Sequence, residues 1–490
     1  MKSIARVLIL MLCVAIAACD SQQAATPAAT PPQTSQSPAP LGDDALLEDL
    51  ERRTFQYFWD TANSDNGLVP DRYPSPSFSS IAAVGFGLTA YVIGAERGYI
   101  TREQARDRTL VTLRFFANAK QGAQSTGVSG HQGFFYHFID MKDGHRYRDT
   151  ELSTVDTALL LGGMLTSQSY FDRAGEEEIV ALVETIYGRV DWRWAQARAP
   201  LIAHGWKPEV GHLKYDWDGY SEAMLVYVLA LASPTHSVAP DAWSAWTKTY
   251  PRSWGEWYGQ QHLGFGPLFA HQYSHVWIDF RGIRDEYMRT KGFDYFENSR
   301  RAALAQQAYA IANPMGWKDY SAEIWGLTAS DGPADTILDY KGQQRRFWTY
   351  AARGAPSPPS YDDGTLAPTA AAGSLPFAPE IVLPTLQAMH RRYGAAIYGQ
   401  YGFIDSFNPS FQFDVPVQHG RRIGAQGWVN GDYLGIDQGP IVAMIENHRS
   451  ELVWKLLRKN AHIRRGLRRA GFTGGWLAEV PTTATAPVKR

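Results

Sequence analysis

Apolar residues recur at helical spacing along most of this 490-residue chain, and no other feature restricts its fold so strongly. In the first such segment Leu46, Leu50 and Phe58 share one helix face, with charged residues between them. Alternating strand patterns are few, and the best is a short hairpin arm over residues 133–139. The chain is therefore predicted to be all-α with short β excursions. The predicted helices span residues 45–61, 81–93, 102–117, 154–171, 176–187, 221–232, 300–312, 379–393 and 440–457.

A body of this many helices needs an arrangement in which every helix buries one face. Residues 43–475 are long for one domain but suit antiparallel helix pairs that close into a ring. The Pro-, Ser- and Asp-rich segment 354–365 is interpreted as an irregular excursion within that domain. We predict a single (α/α)6 toroid over residues 43–475, followed by a C-terminal tail at 476–490.

The N-terminus carries the pattern of an export signal. Lys2 and Arg6 precede a short apolar stretch, and small residues then lead to Cys19, which predicts a cleaved signal peptide over residues 1–18. The sequence Ile-Ala-Ala-Cys resembles a bacterial lipobox, so Cys19 is predicted to be lipidated and to hold the protein on a membrane. An ordinary secretory signal with an incidental cysteine is the alternative. Asp20 favours retention on the periplasmic side of the inner membrane.

Residues 19–42 are rich in Pro, Ala, Ser, Thr and Gln, which predicts a flexible tether. The chain has two cysteines, Cys13 and Cys19, so the body contains no disulfide, thiol nucleophile or thiolate metal ligand. A net charge of −2 indicates no nucleic-acid partner. We expect a monomer with no cofactor.

Acidic residues among apolar or aromatic neighbours are the main candidates for chemistry. Glu222 lies between Tyr220 and an apolar run that continues to Leu231. Burial there disfavours the charged carboxylate and raises its pKa, which suits a general acid. A carboxylate that only stabilises a helix dipole is the alternative.

Four further acids occupy comparable positions. Glu151 and Asp156 stand at the start of a strongly apolar helical segment, where either side chain can be a helix cap. Asp405 and Asp437 each stand among apolar and glycine residues, and a helix is expected to begin soon after Asp437. Each fits a turn or a cap as well as it fits catalysis.

Two other patterns carry less information. Asp279 and Asp285 flank Arg281, which fits substrate binding or a buried Asp–Arg network that holds a loop. His271 and His275 are four residues apart and can share a helix face, but no third ligand stands near them in the sequence. No metal site is predicted.

The same segments resemble a known family. Its motifs are matched, in combination, by residues 53–59, 83–88, 151–157, 220–229, 277–285, 323–329, 376–380, 402–408 and 435–447. Together they resemble the glycoamylase-like family that contains the bacterial endo-β-1,2-glucanases. The resemblance implies an (α/α)6 toroid that hydrolyses linear or cyclic β-1,2-glucan to sophoro-oligosaccharides, with inversion and without a metal.

By this resemblance Glu222 is the general acid, and Asp405, or alternatively Asp437, is the base that activates water. Aromatic residues make up 13% of the chain, which suits either a large core or a cleft that stacks sugar rings. The candidates for substrate binding are Glu151, Asp156, Trp217, Asp279, Arg281 and Trp325.

Three other functions fit the same residues. A non-catalytic glycan-binding lipoprotein needs the aromatic residues but not the acids. A transglycosylase on the same scaffold would pass the sugar to another sugar instead of water. A lyase on a similar toroid would use Tyr and His against uronic acids.

Overall fold

The computed structural model describes residues 42–478. The predicted signal peptide, Cys19 and the tether as far as residue 41 lie outside the described residues, as does the tail from residue 479. Among residues 42–478, no helix is both long enough and apolar enough to cross a membrane. The described residues form fifteen helices: α1 (Asp43–Thr61), α2 (Ile81–Glu96), α3 (Arg102–Asn118), α4 (Thr154–Tyr170), α5 (Glu177–Gly188), α6 (Met224–Ala232), α7 (Asp241–Thr247), α8 (Tyr273–Trp277), α9 (Glu286–Lys291), α10 (Tyr295–Ala312), α11 (Pro368–Ala372), α12 (Pro379–Tyr393), α13 (Gly435–Arg449), α14 (Leu452–Leu457) and α15 (Ala461–Arg469).

Short antiparallel strands accompany the helices in the connecting segments. They are β1 (Arg72–Tyr73), β2 (Ser79–Ser80), β3 (Gly130–His131), β4 (Phe134–Phe135), β5 (Phe138–Ile139), β6 (Leu152–Ser153), β7 (Gly205–Lys207), β8 (Gly211–His212), β9 (Trp254–Trp257), β10 (Gln260–Leu263), β11 (Ala329–Asp331), β12 (Thr336–Tyr340), β13 (Gln343–Phe347), β14 (Tyr350–Ala352), β15 (Tyr398–Gly399), β16 (Gly402–Phe403), β17 (Phe407–Asn408), β18 (Arg421–Arg422), β19 (Trp428–Val429) and β20 (Tyr433–Leu434).

An inner layer consists of α2, α4, α6, α8, α11 and α13, most or all of whose residues are buried. A helix that is apolar all round, as α6 is, must be covered on every side. Helix α2 packs between α4 and α13, and α4 also contacts α6. Leu225 N–H of α6 donates to Ser274 Oγ of α8 (3.0 Å), and Gln272 Nε2 donates to Ala370 O of α11 (2.8 Å). Because α11 packs against α13, the inner helices close into a ring.

An outer layer of helices covers this ring. Helix α1 packs on α13 and α2, α3 on α2, α5 on α4, α12 on α11, and α15 on α6. Helix α10 packs against the 3-10 turn Leu268–His271 that leads into α8. The outer helices α1 and α5 bury one face only, as their amphipathic sequences predict. The prediction of a helical toroid with short β excursions is therefore confirmed.

The inner helices begin at the same end of the ring. Tyr273 Oη at the start of α8 donates to Ile436 O at the start of α13 (3.5 Å), and Thr369 Oγ1 at the start of α11 donates to Asp437 O (3.0 Å). Strands lie in the connection that precedes each inner helix. We call this end of the ring the strand end, and it carries the candidate site.

Helices α2 and α4 approach each other unusually closely. A Cβ atom on Gly85 of α2 would lie 2.3 Å from Leu159 O of α4, and one on Gly163 of α4 would lie 1.9 Å from Gly85 O. No real Cβ atom tolerates such distances from a backbone atom. Both positions therefore require glycine.

Three helix predictions are corrected by the structure. Helix α13 begins at Gly435, so Asp437 lies in its first turn and not before it. Residues 440–457 form two helices rather than one, because Glu451 adopts a left-handed conformation (φ 60°) between α13 and α14. Helix α6 begins at Met224 rather than at 221, so Glu222 precedes the helix instead of opening it.

The predicted hairpin arm over residues 133–139 is also displaced. The hairpin joins β3 and β4, which end at Phe135. Phe138 and Ile139 form β5 instead, which pairs with β2 ahead of the inner helix α2. Tertiary pairing with a distant strand, and not the local alternation, decides the register here.

Candidate active site

Glu222 lies at the strand end, just before α6. Its backbone is fixed by α8, because Ser274 Oγ donates to Glu222 O (2.7 Å). The side chain is partly exposed, but Oε2 is buried and no group within residues 42–478 forms a hydrogen bond with it. Burial, together with the negative charge of Asp156, raises the pKa of Glu222 to about 7. A substantial fraction of this carboxyl group is therefore protonated at neutral pH, as expected from its sequence environment.

Glu151 and Asp156 lie together at the start of α4, on either side of His137. Glu151 Oε1 is 3.0 Å from His137 Nδ1, and Asp156 Oδ1 is 3.6 Å from His137 Nε2. Ser153 caps α4 and its hydroxyl donates to Asp156, which is 4% exposed. Burial raises the pKa of Asp156. For Glu151 burial also acts to raise the pKa, but the hydrogen bond and charge of His137, together with smaller contributions, outweigh burial and lower the pKa.

Asp405 and Asp437 form a buried carboxyl pair. Asp405 Oδ2 accepts hydrogen bonds from Asp331 N–H (3.0 Å), Ser406 Oγ (2.8 Å) and Asn430 Nδ2 (2.7 Å). Asp405 Oδ1 and Asp437 Oδ2 are buried, and no N–H or hydroxyl donor among the described residues reaches either atom. Burial raises the pKa of both groups. The charge of Asp331 raises the pKa of Asp405 further, and the charge of Asp405 raises the pKa of Asp437, so Asp437 is the member that holds a proton more tightly. The pair therefore holds a shared proton more tightly than free aspartates do.

Arg72 is a cation that acts on Asp405. It extends from β1, which pairs with β20 immediately before α13. Its guanidinium lies 2.7 Å from Asp331, 3.2 Å from Asp71 and 3.8 Å from Asp432. Burial lowers the pKa of Arg72, but these carboxylates outweigh burial and raise it, so the group stays charged. Arg72 thus partly balances the negative charge beside Asp405.

Two tyrosines lie near the carboxyl pair. Burial raises the pKa of Tyr273, and the charges of Asp437 and then Glu222 raise it further. Tyr273 therefore lies near both acids. Its hydroxyl donates to Ile436 O, next to Asp437 (3.5 Å), and the adjacent Ser274 Oγ donates to Glu222 O (2.7 Å). Tyr350 is 43% exposed, yet its hydroxyl is surrounded by carboxylates that include Asp405. Its ring forms part of the exposed surface above the carboxyl pair.

The arrangement separates carboxyl groups into two environments. Glu222 is isolated and retains its proton near neutral pH, whereas Asp405 and Asp437 divide one proton between them. Such a division supports proton donation on one side of a substrate and proton removal on the other. Within residues 42–478, no three or more His, Cys, Asp or Glu side chains are placed to hold a metal ion.

Asp279 and Arg281 are not brought to this site. Asp279 Oδ1 accepts from Arg281 Nε (2.8 Å) and its Oδ2 accepts from Arg458 Nε (2.7 Å). Arg281 Nη1 also donates to Glu451 (3.0 Å), between α13 and α14. The substrate-binding prediction for both residues is corrected, because their polar atoms form the buried Asp–Arg network that was the alternative.

The two tryptophan predictions differ in outcome. Trp325 is completely buried, so it offers no ring face to a sugar, and the predicted stacking role is wrong. Trp217 is 5% exposed, stacks on His204 (3.9 Å between ring centroids) and donates to Thr154 Oγ1 (2.9 Å). Trp217 therefore supports the start of α4, close to Asp156, and presents little free surface.

Several residues of the site were not predicted from the sequence. Arg72 and Asp71 follow Pro70 in a polar loop with no unusual pattern, and His137 lies in the mispredicted hairpin. Asp331 follows the motif at 323–329 by two residues, so that motif was the nearest available signal. No sequence motif lies near enough to Tyr350 to have indicated its place in the site.

The fold and the site define a helical toroid with a carboxylate-lined site at one end of its inner ring. Residues 214–461 match the Glycoamylase family profile, whose description is "Putative glucoamylase". The match spans half of the chain, and the chain therefore belongs to this family. The resemblance inferred from the sequence motifs is confirmed.

Individual relatives are similar over most of the described chain. An exo β-1,2-glucooligosaccharide sophorohydrolase (non-reducing end) of Parabacteroides distasonis is 29% identical over 461 residues, which cover 88% of this chain and 58% of the relative. The chain thus spans less than two thirds of that curated relative. A "putative glucoamylase" of Bacteroides fragilis is 30% identical with a TM-score of 0.75, covering 91% of this chain and 100% of that one. An endo-β-1,2-glucanase of Chitinophaga pinensis, solved with sophorotriose and glucose, is 28% identical with a TM-score of 0.74, covering 89% and 100%.

Proposed function

We propose that this protein is a glycoside hydrolase that cleaves β-1,2-linked glucan. The observation that carries the proposal is that Glu222 and the buried Asp405–Asp437 pair lie at the same end of the inner ring, with a partly protonated carboxyl at Glu222 and a shared proton on the pair. The activities for which the Parabacteroides and Chitinophaga relatives are named support β-1,2-glucan as the substrate.

In the proposed reaction Glu222 donates its proton to the glycosidic oxygen as the bond from that oxygen to the anomeric carbon breaks. The ionised member of the Asp405–Asp437 pair takes a proton from water, and the water oxygen attacks the anomeric carbon from the opposite face. The reaction inverts the anomeric configuration and releases one new reducing end for each bond cleaved. The product on the other side of the bond leaves with its oxygen protonated.

The first test is incubation of the purified protein with linear and with cyclic β-1,2-glucan, followed by measurement of reducing ends. Glu222→Gln keeps the shape of the side chain but removes the proton donor, and we expect turnover to fall by roughly 10²–10⁴-fold. Glu256→Gln, an exposed carboxylate on β9, is the matched control and should retain full activity.

The outcomes separate the competing functions. The proposal fails if neither glucan yields new reducing ends with the wild-type protein. Glucan binding without turnover would indicate a glycan-binding lipoprotein, and products longer than the substrate would indicate a transglycosylase. Proton NMR of the first product identifies its anomeric configuration, and an initial β-anomer would exclude inversion.

We also propose that Cys19 is lipidated and holds the domain at the periplasmic face of a bacterial membrane. The support is the lipobox-like sequence that precedes Cys19. Cells that express the full chain should incorporate labelled palmitate into it, and Cys19→Ser should abolish the label and release the protein into the soluble fraction. Unchanged membrane association of the Cys19→Ser protein would contradict the proposal.

A further inference from the structure

His137 is held between two carboxylates by its backbone and by its ring. His137 N–H donates to Glu151 O (2.9 Å), and its own carbonyl accepts from Ile81 N–H at the start of α2 (3.3 Å). The ring stacks on Phe138 with 3.8 Å between centroids. Nδ1 then faces Glu151 at 3.0 Å and Nε2 faces Asp156 at 3.6 Å. Both ring nitrogens therefore point at negatively charged groups.

With both carboxyl groups ionised, only the doubly protonated imidazolium places a proton opposite each of them. A neutral imidazole carries a proton on one nitrogen and a lone pair on the other, so one carboxylate would face a lone pair. Burial lowers the pKa of His137, but Asp156 and Glu151 outweigh burial and raise the pKa to about 9. Geometry and electrostatics agree that the ring is a cation at neutral pH.

The charged neighbours of this cluster come from several elements. Asp71, ahead of β1, adds a third negative charge that acts on His137. Lys207 of β7 acts on Glu151 from the opposite strand. On the other side of Asp156, the neighbouring titratable groups are Glu222 and, at the start of α8, Tyr273. Asp156 is therefore the charge that connects His137 to Glu222.

We propose that His137 is a positioning residue that keeps Asp156 ionised beside Glu222, so that Glu222 retains the proton it donates to substrate. Burial alone would favour neutral Asp156, and His137 and Ser153 oppose that effect. An ionised Asp156 in turn opposes ionisation of Glu222. The inference rests on the proposed function only in the statement that Glu222 donates this proton to the substrate.

The test measures the protonation of Glu222 directly. For the wild type and for each variant, the carboxyl C=O band of Glu222 is obtained as the infrared difference between that protein and the same protein with Glu222→Gln added. The band is then followed through a pH titration. In His137→Gln the midpoint should fall by about half a pH unit or more, because neutral Asp156 no longer repels the Glu222 carboxylate. His145→Gln, an exposed histidine in the same connection that pairs with Asp143, should leave the midpoint unchanged.

A second variant tests the route of the effect. Asp156→Asn should lower the midpoint of Glu222 in the same direction, and adding His137→Gln to it should produce no further decrease, since the cation acts through Asp156. An unchanged or raised midpoint in His137→Gln, or additive shifts in the double variant, overturns the proposal.

A measurement on the wild-type protein covers the case in which His137→Gln does not fold. Nitrogen-15 NMR of the histidine side chains should show both ring nitrogens of His137 protonated at pH 7, and a neutral ring overturns the proposal. Neither spectroscopic readout needs turnover. Absence of new reducing ends from β-1,2-glucan would therefore refute the proposed function, whereas the two spectroscopic measurements alone decide the role of His137.

Discussion

At the scale of single residues, different neighbouring groups produce different protonation behaviour at Glu222 and at Asp405. Glu222 has one neighbouring acid, Asp156, and ionises near neutral pH. Asp405 faces Asp437 directly, so ionisation of one disfavours ionisation of the other. Two carboxyl groups can therefore be suited to opposite roles, proton donor and proton acceptor, because their environments differ. The catalytic assignments of these residues stay predictions until variants are measured.

The pH dependence of activity is the first prediction at this scale. We expect kcat/KM on β-1,2-glucan to fall as pH rises through about 7, because Glu222 then loses the proton it must donate. The acidic limb should lie above the ordinary range of aspartate, since burial raises the pKa of both Asp405 and Asp437. The control variant Glu256→Gln should show the same dependence of kcat/KM on pH as the wild type. A wild-type profile that stays flat far into the alkaline range contradicts it.

At the scale of elements, the site depends on how closely the inner helices approach each other. Helix α4 carries Asp156 in its first turn, and its position is set by direct backbone contact with α2 at Gly85 and Gly163. The same helix begins at the Ser153 cap and is supported by Trp217 through Thr154. Packing at the middle of α4 therefore determines where its N-terminal acids stand.

Gly85→Ala tests this contact. The added Cβ would lie 2.3 Å from Leu159 O, so the two helices must separate, and we expect the free energy of unfolding to fall by roughly 1–3 kcal/mol. Urea denaturation measures the change. Gly188→Ala, at the end of α5, is the control, because the nearest atom to its added Cβ is 3.9 Å away, on Thr235. Equal stability of the two variants would contradict the packing argument.

At the scale of the whole molecule, the outer helix α1 packs on the inner helix α13, although the two are far apart in the sequence. Glu51 of α1 and Glu446 of α13 are buried there, next to Arg97 and Arg449. Burial and then the proximity of Glu446 raise the pKa of Glu51, despite both arginines. The folded ring therefore holds a proton at Glu51 that the unfolded chain releases more readily.

This proton makes stability depend on pH. A carboxyl whose pKa is raised on folding contributes its full stability below the unfolded pKa and loses that stability as pH rises through the folded pKa. Glu51→Gln should therefore flatten the decrease of Tm with pH above the ordinary glutamate range, where the wild type loses at most about 1.4 kcal/mol per pH unit from this group. Thermal melts between acidic and mildly alkaline pH measure the slope.

Glu48→Gln is the control for this prediction. Glu48 lies on the same helix and pairs with Arg449, but hydrogen bonds to Arg449 and Tyr99 outweigh its partial burial and lower its pKa. Its removal should leave the alkaline slope in place. The same slope in wild type and Glu51→Gln would contradict the role of the buried pair.

The sequence by itself determined what depends on near neighbours. Helical spacing identified the longer helices but not the short α7, α8, α9, α11 and α15. Acids in apolar surroundings drew attention to Glu222, Asp405 and Asp437, because amphipathicity and burial are both expressed within a few residues. It also carried the export and lipobox pattern that ends at Cys19. It misjudged Trp325, since nothing local distinguishes a core tryptophan from an exposed one.

Only the tertiary structure decided which groups meet and which are charged. Asp331 N–H reaches Asp405 from 74 residues away, and Asp405 meets Asp437 through the packing of separate elements. Asp279 is directed into a structural network by Arg458, which is 179 residues distant. The protonation of a group depends on the charges and the solvent within a few ångströms of it. Chain folding brings such charges together from distant positions in the sequence, and no local sequence pattern encodes that proximity.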